Sequence, residues 1–129
     1  MQKYDIYYCD LGKNLGSEQG GVRPCIILQN NMGNKYSPTT IIAPFTTATK
    51  RPLPTHIPLK LHGRDTCILM EQIRVIDKSR IGNKKKKIDD IELQKKIQAA
   101  IKVSLSLDWG FFSGKSCILN KTETVGTSY

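Results

Sequence analysis

Six short β-forming stretches, most of them bounded by Gly, Pro or Asn, constrain this chain more than any other feature. Residues 5–11, 22–29, 39–45, 56–61, 66–70 and 72–76 are rich in Ile, Val, Leu, Tyr and Thr. Strands of that length separated by turn residues predict a small β-barrel or sandwich. Residues 22–29 are apolar throughout except for Arg23-Pro24, the look of a central strand buried on both faces. Residues 56–61 alternate and carry Pro58, which only an edge strand tolerates. Pro44 is expected to end the third strand for the same reason. Asn30-Asn31-Met32-Gly33-Asn34 reads as a turn, because Asn and Gly tolerate left-handed backbone.

The pattern changes after residue 83. Lys84-Lys85-Lys86-Lys87 reads as a solvated basic turn that would add to attraction for a polyanion. Asp89-Asp90-Ile91-Glu92 resembles a capping box with Asp89 as N-cap. Leu93, Ile97, Ala100, Ile101, Ser104 and Leu105 then recur at helical spacing, predicting an amphipathic helix of about five turns whose apolar face joins the core. Residues 1–108 form one domain; the tail, 109–129, opens aromatic and Gly-rich at Trp109-Gly110-Phe111-Phe112 and has no assignable role.

Composition narrows the function. A hydrophobic fraction of 39% argues against disorder. Twenty Lys and Arg against eleven Asp and Glu give a formal charge of +9, enough to concentrate a polyanion nearby. No stretch approaches the roughly 20 apolar residues that cross a bilayer, and residues 1–5 lack the apolar core of a signal peptide. That points to the cytosol. Cys9, Cys25, Cys67 and Cys117 form no C-x-x-C pair and read as free thiols. With only His56 and His62 beside them, a metal site has little support. His56 opens an edge strand and reads as structural.

Between the first two strands lies Gly16-Ser17-Glu18-Gln19-Gly20-Gly21-Val22-Arg23-Pro24. Its three glycines permit positive φ or close backbone approach, and Ser17, Glu18 and Gln19 place a hydroxyl, a carboxylate and an amide among them. Pro24 disfavours helical backbone at Arg23, so the guanidinium is expected on an extended residue at the mouth of a strand. A permanent cation there suits a phosphate.

These blocks resemble the MazF/PemK toxins. So do Gln29-Asn30, Gly33-Asn34-Lys35-Tyr36-Ser37-Pro38-Thr39, Leu53-Pro54-Thr55-His56 and Glu71-Gln72-Ile73-Arg74-Val75-Ile76-Asp77-Lys78, in order from about Tyr4 to Leu107. The resemblance implies a mainly β fold with a C-terminal helix, the small SH3-like barrel of CcdB, MazF and PemK. It further implies a homodimer that cleaves single-stranded RNA without metal or other cofactor and is neutralised by a cognate antitoxin. By its motif, Arg23 and Thr46 are the catalytic pair, with Glu18 as base, base reader or orienter of Arg23. Ser17, Gln19, Thr47 and Gln72 are the RNA-binding candidates, each equally able to stabilise its loop. Two departures, Pro44-Phe45 and the basic loop at Lys50-Arg51, bear on which RNA word is cut. A non-catalytic CcdB-like toxin on the same barrel would lack the Ser17-Glu18-Gln19…Arg23-Pro24 block, whereas a barrel that binds RNA without cutting it fits the charge equally well.

Overall fold

The computed structural model describes residues 1–47 and 53–107. The Lys50-Arg51 loop, Cys117 and the tail from 109 to 129 lie outside them. Among the described residues seven antiparallel strands make a half-barrel: β1 (Asp5–Asp10), β2 (Val22–Ile27), β3 (Thr39–Thr46), β4 (His56–Leu61), β5 (Arg64–Leu69), β6 (Arg74–Asp77) and β7 (Ile81–Lys87). They run in the order β4-β5-β3-β2-β1-β7, with β6 also paired to β3. The helix α1 (Asn31–Tyr36) follows β2, and α2 (Ile91–Ser104) packs against β4 and the 3-10 turn Met70–Gln72.

β3 is the hub. Thr39 to Ile42 pair with β6, and Phe45 and Thr46 pair with β5. The expected stop at Pro44 does not occur; β3 runs on to Thr46. Pro44 sits at the changeover, after the last residue paired to β6 and before the first paired to β5. On that side a missing N–H loses no ladder bond.

The second half of β2, from Cys25, is buried on both faces, as its apolar run demands, whereas Val22 at its start is exposed. Ile26 and Leu28 join the larger core with Ile6, Phe45, Ile57, Ile68, Met70, Ile97 and Ala100. Cys25 and Ile27 face the other way, into a smaller core with Cys9, Leu11, Ile42 and Ile76. Two cores on opposite faces of one strand follow from side chains alternating along it. Cys9, Cys25 and Cys67 are free thiols. Contact with Cys9, then burial, pushes the Cys25 thiol far up, so it packs as a neutral apolar group. β4 stands at one sheet edge with Pro58 exposed.

At the other edge the expectation of a basic turn fails. Residues 84–87 belong to β7, which pairs with β1 through Lys87↔Asp5, Lys86↔Ile6 and Lys84↔Tyr7. Ladder bonds are made by the backbone and do not depend on lysine side chains, which also guard an open edge against further pairing. Lys84 lies 3.5 Å from the buried Asp5 carboxylate. Lys85 donates to the Tyr8 hydroxyl at 2.6 Å and lies 4.8 Å from the ring centroid.

Two local expectations also shift. Residues 31–36 form a short helix rather than an open turn, because Asn30 caps it by accepting from the Gly33 N–H at 2.8 Å. For α2 the N-cap is Asp90, not Asp89, accepting from the Glu92 N–H at 3.0 Å. The helix is 14 residues long, about four turns rather than five. Ile97 and Ala100 are buried and Leu93 and Ile101 pack beside them, but Leu105 lies beyond the helix end and is exposed.

Candidate active site

The connection between β1 and β2 is closed at its base by the backbone. Leu11 N–H donates to the Gly21 carbonyl at 2.9 Å, and Gly21 N–H to the Gly12 carbonyl at 2.7 Å. Two glycines are required for this. Gly21 has φ +73°, and a Cβ on Gly20 would stand 2.6 Å from the Asn14 nitrogen and 2.9 Å from the Gly12 carbonyl oxygen. The folded-back loop brings the Gly20 carbonyl to Arg23.

Arg23 lies in β2, extended as expected and half-buried. Its Nε donates to the Gly20 carbonyl at 2.9 Å and its Nη1 to the Phe45 carbonyl at 3.2 Å. One guanidinium thus spans the glycine loop and the end of β3. A guanidinium carries five N–H donors, so the remaining ones stay available for an anion. The β2–β3 register Cys25↔Pro44, carried two residues further, sets Arg23 across from Thr46. Thr46 is buried at the strand end and Thr47 beside it is exposed. The structure therefore brings the two candidate catalytic residues together.

Glu18 and Ser17 are exposed at the loop tip. Among the described residues no ion pair joins Glu18 to Arg23; backbone carbonyls orient the guanidinium instead. Gln19 and Gln72 meet each other. Gln72 accepts from the Gln19 N–H through Oε1 at 2.9 Å and donates through Nε2 to the Ser17 carbonyl at 3.2 Å.

Beside this lies a groove of about 420 Å³. Leu11, Pro44 and Ile73 supply its apolar lining, and Lys13, Glu18, Gln19, Glu71, Gln72 and Arg74 its polar lining. Arg23 and Thr46 do not line the groove; they adjoin it through Pro44 and Phe45. Glu71, Lys13 and Arg74 escaped the sequence reading. Glu71-Gln72 stood in a recognisable block, yet nothing local marks a carboxylate whose partners, Thr55 and His56, lie at the entry to β4, fifteen or sixteen residues earlier. Thr55 donates to its Oε1 at 2.9 Å, and Oε2 is 2.8 Å from His56 Nε2. Burial works to raise the Glu71 pKa, but hydrogen bonds from its own N–H, His56 and Thr55 outweigh that and hold it below the usual range. Among the described residues no three His, Cys, Asp or Glu side chains converge as a metal site, and no helix is long and apolar enough to cross a membrane.

Residues 2–105 match the family of PemK-like, MazF-like toxins of type II toxin–antitoxin systems. The chain belongs to that family. It is 46% identical over 112 residues to endoribonuclease EndoA of Bacillus subtilis, covering 83% of this chain and 96% of that protein. To endoribonuclease MazF of Staphylococcus saprophyticus it is 43% identical over 112 residues, with coverages of 83% and 92%. The half-barrel with its C-terminal helix is the fold of MazF from Deinococcus radiodurans (TM-score 0.71, 20% identity, 82% and 96% coverage). A mycobacterial endoribonuclease solved with its cognate antitoxin has it too (TM-score 0.71, 23% identity, 84% and 98% coverage). In this PemK/MazF-like chain the glycine loop, the end of β3 and the turn at residues 70–72 meet around Arg23 and the groove.

Proposed function

We propose that this chain is an endoribonuclease toxin that cuts single-stranded RNA at a particular word, without a metal, and is neutralised by a cognate antitoxin. The observation that carries this reading is the Arg23 guanidinium pinned between the Gly20 and Phe45 carbonyls beside Thr46. RNA supplies its own nucleophile. The 2′-oxygen gives up its proton and attacks the adjacent phosphorus, the P–O5′ bond breaks, the departing O5′ takes a proton from water, and the products are a 2′,3′-cyclic phosphate and a 5′-hydroxyl. Charge builds on the non-bridging oxygens in the transition state, and Arg23 meets it with donors already in place. The Thr46 hydroxyl hydrogen-bonds a non-bridging oxygen or positions the 2′-hydroxyl; it is too weak a base to deprotonate it alone. Glu18, free of an orienting role, either accepts the 2′-hydroxyl proton or reads a base edge. Glu18→Gln separates these: loss of a base lowers kcat on every word, whereas loss of a reader changes the word.

Ser17, Gln19 and Thr47 face unstacked bases, the usual way single strands are discriminated; Gln72 acts with them by shaping the loop. By the family resemblance the working unit is a homodimer in the cytoplasm, where its RNA is; exposed Val103, Leu105 and Leu107 near the C-terminal end of α2 are apolar surface suited to a second copy. Sedimentation of the purified protein checks this; a monomer at micromolar concentration would contradict it. The activity is tested by incubating a long single-stranded RNA with the protein in EDTA and sequencing the cut ends. Cyclic-phosphate and 5′-hydroxyl ends at a recurring word are expected. Intact RNA that is nonetheless bound would favour the non-cleaving alternative.

A further inference from the structure

The 3-10 turn Met70–Gln72 holds both connections that flank the groove. Gln72 grips the β1–β2 loop through the Gln19 N–H and the Ser17 carbonyl. Its neighbour Glu71 grips the returning end of the β3–β4 connection through the Thr55 hydroxyl and His56 Nε2. The backbone adds a third tie, Met70 N–H to the Thr55 carbonyl at 3.1 Å. The partners are enclosed and the carboxylate is not: Thr55 is buried and the His56 side chain is 9% exposed, whereas the Glu71 side chain is 32% exposed at the groove. A carboxylate lining this groove works against phosphate in a chain of net charge +9, so its placement calls for a compensating role.

We propose that Glu71 is a positioning residue of the cleavage reaction. With Gln72 it clasps the loop that leads into Arg23 to the connection that begins after Thr46, and so sets which RNA word the groove accepts. This rests on the endoribonuclease reading. The clasp explains why adjacent side chains of a one-turn element point at segments far from each other in the chain, and why both oxygens of a partly exposed Glu71 carboxylate are engaged by Thr55 and His56.

The test uses the full chain with Glu71→Ala, Glu71→Gln and Thr55→Val, the last deleting only a hydroxyl from the clasp. Amide hydrogen exchange of residues 16–21 and 53–57 is read beside KM, kcat and the cut word on a long single-stranded RNA. Glu71→Ala is expected to speed exchange in both segments, about tenfold at 53–57 and less at 16–21. It should raise KM about five- to tenfold and loosen the word, with kcat on the favoured word within about threefold. Thr55→Val should move the same quantities less, and Glu71→Gln, which keeps an acceptor for Thr55, should restore most of the loss. Unchanged exchange at both segments, or an unchanged word and KM in both Glu71→Ala and Thr55→Val, overturns the clasp; should Glu71→Ala fail to fold, Thr55→Val decides alone. Were the wild-type chain to leave RNA uncut, the nuclease reading would fall while the exchange rates still decided the clasp.

Discussion

The glycine loop and the basic edge strand β7 are opposite ways of presenting charge to an anion. β7 carries four successive lysines, and Lys84, Lys86 and Lys87 are exposed. The loop region offers one guanidinium, but two of its donors are spent on backbone carbonyls at 2.9 and 3.2 Å. Exposed lysines attract a polyanion through a field that salt screens within about 10 Å at 0.1 M. A guanidinium held in place can stabilise charge that appears only in the transition state. Quantity of charge and placement of charge are separate properties here, and only the second is suited to chemistry.

That contrast can be broken by substitution. Arg23→Ala should lower single-turnover cleavage by about 10³-fold while the thermal midpoint stays within a few degrees; an intact rate would end the assignment. Thr46→Ala should cost about 10²-fold in kcat with little change in KM. A larger effect on KM would make Thr46 a binder instead. For Gly20→Ala, the contacts at 2.6–2.9 Å force the loop open and release the carbonyl that holds Nε. About tenfold lower activity and a lower melting temperature are expected, and an unmoved melting temperature would show that the loop yields freely. Replacing Lys84, Lys86 and Lys87 together by Gln should raise KM only a few-fold at low salt.

A smaller effect concerns stability. The folded-state pKa of Glu71 is depressed, so its contribution is fully present above its unfolded value and fades as pH falls through the folded one. The gap in melting temperature between the wild type and Glu71→Gln should be open at neutral pH and close in acid below the usual carboxylate range. A gap that widened on acidification would reverse the sign of the argument.

Much of this arrangement was legible in the residues because it is local. Alternation and turn residues marked the strands, and Pro24 marked Arg23 as extended. The four-fold buried run from Cys25 to Leu28 showed as continuous hydrophobicity. What was illegible depends on distant partners. β7 looked like a solvated turn because its lysines carry no β signal; the open side of β1 recruits it. Pro44 looked like a strand end because the handover from β6 to β5 is invisible in one strand. Gln72 read as an RNA-binding candidate or loop stabiliser and Glu71 had no role of its own, until the fold set one against Ser17 and Gln19 and the other against Thr55 and His56.

The most direct measurement compares kcat/KM of Arg23→Ala and of the triple lysine variant, on one single-stranded RNA, from about 20 to 500 mM salt. The defect of Arg23→Ala should lie in kcat and hold its size across the series, while that of the lysine variant should lie in KM and vanish at the upper end. A defect in Arg23→Ala that shrank with salt as the lysine defect does would make Arg23 one more attractive charge and contradict its role at the scissile phosphate.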